Sequence, residues 1–90
     1  MDIRARLRIS GIVQGVFYRA SCRREGEARG LRGWVRNLPD GRVEALLQGP
    51  KEKVDDMIRW CFRGPEDARV TDIDVAHEDP ADDLAGFRIG

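Results

Sequence analysis

Ninety residues, 41% of them hydrophobic, suit one domain over residues 1–90, because two independent cores need a longer chain, and such a composition argues against intrinsic disorder. No apolar run approaches the ~18 residues of a membrane span, and Met1-Asp2-Ile3-Arg4 leads straight into a strand-like pattern with no room for a secretory signal, so a cytoplasmic protein with no membrane partner is expected. Sixteen basic side chains balance sixteen acidic ones, yet residues 1–36 hold nine Arg against three acids, and residues 66–90 two Arg against eight acids: either an anion-attracting field or two ends that neutralise each other on folding.

Along the chain, Ile3, Ala5, Leu7 and Ile9 alternate with Arg4, Arg6 and Arg8, the period-two pattern of a half-buried strand over residues 3–9. Residues 10–16 read as a loop containing Gly11 and Gly15. Residues 20–29 read as a helix with a thin apolar face, Ala20, Cys22 and Ala28. Gly26 inside it costs about 1 kcal/mol relative to Ala, and Gly30 suits the left-handed residue that follows a helix.

A second strand covers residues 31–38, with Leu31, Gly33, Val35 and Asn37 on one face and Arg32, Trp34 and Arg36 on the other. Pro39-Asp40-Gly41 marks a hairpin turn, and the returning strand over 42–48 points Val43, Ala45 and Leu47 one way. Gly49-Pro50 introduces a helix over 51–63, where Val54, Met57, Ile58 and Cys61 recur at helical spacing. Gly64-Pro65 stops it. Alternation resumes over 70–77, a polar, acidic loop fills 78–86, and Phe87 with Ile89 makes a last short strand.

This order predicts an α+β protein, a ferredoxin-like βαββαβ sandwich with one antiparallel sheet and two helices packed on one face. The first and last main strands then lie side by side, at the centre and at an edge. Arg4, Arg6 and Arg8 are expected to face solvent beside Asp72 and Asp74 on the open face of the sheet; a basic row so paired, with no aromatic on the first strand, argues against a nucleic-acid partner. The two helices are expected to run roughly the same way, placing Cys22 and Cys61 ~15 Å apart, beyond the reach of a disulfide. Their spacing matches no metal site.

The strongest local feature is Gly11-x-Val13-Gln14-Gly15-Val16-Phe17-Tyr18-Arg19, between a strand and a helix. Glycines let successive amides turn inward into a nest, the helix start adds unpaired donors, and the planar guanidinium of Arg19 suits two phosphate oxygens. Spacing alone leaves open a loop that merely turns beside a solvated Arg. Asn37 ends a strand with the parity of Val35, either as a polar group at the helix-covered end of the sheet or as a turn cap before Pro39. The single His77 lies far from the loop, no Cys precedes an Arg at phosphatase spacing, and no carboxylate pair or metal cluster stands out, so neither a cofactor nor a metal is expected. A site of amides, one Arg and one Asn suits a reactive substrate, and acyl phosphates qualify, since a carboxylate leaving group has a pKa near ~4–5.

Val13-Gln14-Gly15-Val16-Phe17-Tyr18-Arg19 resembles the first diagnostic segment of the acylphosphatase family. Gly30-Leu31-x-Gly33-Trp34-Val35-x-Asn37-x-x-Asp40-Gly41-x-Val43-Glu44 resembles the second, and Gly49 and Gly64-Pro65-x-x-Ala68-x-Val70 also match, so the likeness spans nearly the whole chain. It implies that Arg19 binds the substrate phosphate with loop amides from Gln14, Gly15, Val16, Phe17, Tyr18 and Arg19. It also implies that Asn37 orients the attacking water, and that a monomer hydrolyses a small-molecule acyl phosphate at phosphorus without a metal or a phosphoenzyme. The ending Phe87-Arg88-Ile89-Gly90 is short for the family, implying a weaker edge strand, and the acidic loop over 78–83 is expected to disfavour a nearby anion. The alternatives are a non-catalytic ferredoxin-like anion-binding or regulatory module, an RNA binder of similar topology, and a relative of the acylphosphatase-like domain of larger maturation enzymes.

Overall fold

The computed structural model describes all of residues 1–90. In chain order it contains β1 (Asp2–Ile12), α1 (Tyr18–Ala28), β2 (Arg32–Asn37), β3 (Val43–Pro50), α2 (Lys51–Arg63), β4 (Arg69–Glu78) and β5 (Phe87–Ile89). The strands form one sheet in the order β4-β1-β3-β2-β5. α1 packs on β2 and β5, and α2 on β1, β3 and β4, which is the expected ferredoxin-like arrangement. Between helices and sheet lies one apolar core, built on Ala5, Leu7 and Ile9 from β1, Val43, Ala45 and Leu47 from β3, and Val54 and Met57 from α2.

One expectation about the sheet is corrected. It is mixed, not antiparallel, because β5 pairs parallel to β2, Gly33 opposite Phe87. The loop over 79–86 dictates this direction. It leaves β4 at the end of the sheet where β1 and β2 begin, touches Arg4 and Gln48 through Ala81, and so must enter β5 running with β2.

β1 is longer than its alternating stretch, continuing to Ile12 past a register shift between Ser10 and Gly11 in its pairing with β4. Only glycine fits at that shift. Gly11 has φ +129°, and a Cβ there would stand 2.0 Å from the Arg69 carbonyl oxygen. Gly26 likewise has a packing reason for its place inside α1, because the Phe87 ring of β5 lies where its side chain would go, 2.5 Å from an ideal Cβ.

The helix directions are also corrected. β1 and β3 run antiparallel, and each helix returns against the strand before it, so α1 and α2 run in opposite directions. Cys22, early in α1, and Cys61, near the end of α2, are therefore neighbours. Both are free, buried thiols, and the hydrogen bond that Cys22 donates to Cys61, with burial, pushes the Cys22 thiol up. The Tyr18 hydroxyl donates to the Cys61 carbonyl at 2.7 Å, and its ring centroid lies 5.7 Å from that of Trp60.

On the open face the arginines have partners other than Asp72 and Asp74. Glu44, only 2% exposed, lies opposite Arg8 on one side and Arg36 on the other. It receives Arg36 at 2.6 Å, Arg8 at 3.2 Å and Arg6 at 3.5 Å. Arg6 also meets Glu78 at 2.6 Å. Arg4 is not solvent-facing but buried, donating from Nε to Gln48 at 2.7 Å and from its terminal nitrogens to Asp83 and the Ala81 carbonyl. Trp34 lies on this face with the guanidinium groups of Arg6 and Arg36 at 5.6 and 5.0 Å from its ring centroid, a cation–π arrangement.

Candidate active site

The segment joining β1 to α1 turns through two left-handed residues, Gly15 with φ +75° and Phe17 with φ +63°. Glycine adopts that conformation freely, whereas phenylalanine does so at a cost of about 1–2 kcal/mol. Phe17 is the N-cap of α1 and makes no side-chain capping bond. No backbone carbonyl accepts from the amides of Gln14, Gly15, Val16 or Phe17, and the first amides of any helix lack an intrahelical acceptor. The segment thus presents consecutive unclaimed donors at the positive end of a helix, which together suit an anion.

The sequence-selected residues divide into two groups. Arg19, Asn37, Gly15, Phe17 and Tyr18 meet at one cleft of about 310 Å³, completed by Val13, Ala20 and Ile89. Gln14 and Val16 do not line it. The Gln14 side chain is committed elsewhere, its amide nitrogen donating at 2.9 Å to both the Leu38 and Arg42 carbonyls, so that Gln14 has only its backbone N–H to offer a ligand. Tyr18 touches the cleft, but its hydroxyl serves the core contact with Cys61. Burial, then the neighbouring thiols, pushes that phenol well up, and it holds its proton.

Arg19 reaches the cleft from the first turn of α1, half-buried, and no Asp or Glu side chain pairs with it. Its one hydrogen bond is from Nη1 to the main-chain oxygen of Gly90 at 3.0 Å. Asn37 is the last residue of β2 and is exposed, not covered by a helix. The Gln14 bonds fasten the Arg19 segment to the two carbonyls that flank the hairpin after Asn37, which brings the two side chains to one cleft. Ile89 and Gly90 come from β5, held by Gly33 N–H to Gly86 at 2.9 Å and Gly90 N–H to Val35 at 2.8 Å. Sequence reading missed both, since the pairing of β5 with β2 is non-local and three residues carry little pattern.

Chemically, the cleft offers amide donors, one guanidinium and one carboxamide. No His, Cys, Asp or Glu lines it, and no group of three such residues in the chain is arranged to hold a metal ion. The acidic loop keeps its carboxylates out of the cleft lining. Asp83 and Asp82 pair with Arg4 and Arg32, and neither lines the cleft.

Comparison with known proteins agrees with this geometry. The family model described as Acylphosphatase matches residues 5–89. An acylphosphatase of Haloquadratum walsbyi is 54% identical over 96% of this chain and 91% of its own length, and one of Anaeromyxobacter dehalogenans is 52% identical over 97% and 94%. The crystal structure of acylphosphatase from Bacillus subtilis superposes with a TM-score of 0.94 at 34% identity, covering 98% of each chain.

Proposed function

The chain belongs to the acylphosphatase family, enzymes that hydrolyse acyl phosphates, and from that premise we propose that Arg19 holds the phosphoryl group while Asn37 holds the water that attacks it. The observation that carries this reading is the meeting of Arg19 and Asn37, from two separate elements, in one cleft beside unclaimed loop amides.

The guanidinium and the amides bind the equatorial phosphate oxygens and stabilise the charge that spreads over them in the transition state. The Asn37 carboxamide both donates and accepts, so it fixes a water in line with the bond to the acyl oxygen, a positioning effect. The new P–O bond forms from water as the P–O bond to the carboxyl group breaks, and the carboxylate departs with the bonding pair. Its low basicity removes the need for a general acid. With no side-chain base in the cleft, the proton from water passes to a phosphate oxygen. The enzyme works as a monomer in the cytoplasm on a small molecule, without a metal.

Hydrolysis of benzoyl phosphate in the presence of excess EDTA tests the reading. Undiminished turnover is expected. Phosphate binding without turnover identifies instead a non-catalytic anion-binding module.

A further inference from the structure

The residues that hold the phosphoryl group leave the other half of the substrate unaccounted for. Apart from Arg19 and Asn37, the cleft is lined by glycine and by apolar or aromatic side chains. Phe17 has the least ordinary conformation among them. It is the one non-glycine residue with positive φ, yet its side chain is 81% exposed and belongs to no part of the core. Asn or Gly satisfies that backbone more easily, and nothing in the fold uses the ring. Ile89, 40% exposed, reaches the same cleft from β5. Two large apolar side chains thus stand in water beside the phosphate-binding groups, with no charged group but Arg19 in the lining.

We infer that Phe17 and Ile89 form the subsite for the acyl group, and that the preferred substrates are acyl phosphates with an apolar acyl chain, aromatic or branched. This rests on reading the cleft as the hydrolytic site. Tethered through the scissile anhydride, the acyl group leaves the amide nest at its mouth, where the exposed ring and the Ile89 side chain lose water on contact with it. A carboxyl-bearing acyl chain gains no such contact, and its charge is desolvated against hydrocarbon. The tether also explains why so small an apolar surface suffices, because the phosphoryl contacts already hold the substrate in place.

The test compares kcat/KM for benzoyl phosphate and acetyl phosphate in the full chain and in Phe17→Asn, Ile89→Ser and Phe17→Tyr. Asn tolerates the left-handed backbone, so Phe17→Asn removes the ring while preserving the turn. The two substrates differ in leaving-group acidity, but that difference is common to all variants and cancels when their benzoyl-to-acetyl ratios are compared. The ratio is expected to fall about 10-fold in Phe17→Asn and in Ile89→Ser, the lower range for a lost apolar contact, mainly through KM for benzoyl phosphate. Phe17→Tyr is expected to keep it. Inhibition by benzoate and acetate gives a readout independent of turnover: benzoate binds the unsubstituted protein more tightly, and Ile89→Ser abolishes the preference. An unmoved ratio in both Phe17→Asn and Ile89→Ser overturns the subsite while leaving the phosphoryl site standing. No hydrolysis of either substrate by the unsubstituted protein overturns the underlying reading and the subsite with it.

Discussion

No Asp or Glu side chain pairs with Arg19, and the main-chain oxygen of Gly90 that it touches is an acceptor that a phosphate oxygen can replace. Arg19→Ala is therefore expected to lower kcat/KM for an acyl phosphate by about 10²–10³ and to abolish inhibition by inorganic phosphate. Asn37→Ala, by contrast, is expected to lose turnover by about 10² and to keep phosphate inhibition; full activity in that variant overturns the water-holding role. Both residues were legible in the sequence because two long motifs carry them. Glu44 was not, although it sits in one of those motifs. Local alternation places it on the polar face of β3, and only the non-local pairing of β3 with β1 and β2 shows that three arginines close over it. Burial pushes its carboxyl up, but Arg36, Arg6 and Arg8 outweigh that and hold it below the usual carboxylate range. A carboxylate so lowered stabilises the fold above the unfolded-state value of about 4.3, and that contribution is lost as pH falls through the lower folded-state value. Glu44→Gln is expected to cost about 1–2 kcal/mol near neutral pH, since its partners are partly solvated. In chemical denaturation the difference from the unsubstituted protein should shrink below about pH 4, whereas a pH-independent difference assigns the loss to packing.

At the scale of elements, the sequence identified every strand and helix, because alternation and helical spacing persist even where ends differ by one to three residues. Strand and helix directions were less secure. The shared direction expected for α1 and α2 conflicts with the hairpin between β2 and β3, which, once β3 lies beside β1, forces the helices to oppose. Gly26 shows the limit from the other side: helix propensity marks it as a flaw, and only the seat it gives Phe87 explains it. Gly26→Ala is accordingly expected to destabilise, because a gain of about 1 kcal/mol in propensity is outweighed by about 1–3 kcal/mol of overpacking against the ring. A double variant with Phe87→Ala should lose less than the sum of the two single changes in thermal melts, the signature of a shared contact. A stabilised Gly26→Ala protein contradicts the observed docking of β5 on α1.

Over the whole molecule, the charge polarity of the sequence is resolved by topology. The basic β1 lies between β3 and β4, and the acidic segment returns to it through Glu78 and Asp83. The sequence showed that the two ends were complementary but not which acids would serve, because Asp83 reaches Arg4 only through the loop that carries the chain from one sheet edge to the other. The same compactness shields Cys22 and Cys61, each with no exposed surface. Neither thiol is expected to react with a disulfide reagent in the folded protein, and both should react once denaturant unfolds it. Reaction of one thiol at the rate of a free thiol contradicts the packing of α1 against α2. The bonds from Gln14 to Leu38 and Arg42 bear on how the reaction depends on temperature. They order the anion loop when the protein folds, so little flexibility remains to be lost when substrate binds. The activation barrier should then be chiefly enthalpic, with a small activation entropy set by the water that Asn37 must hold.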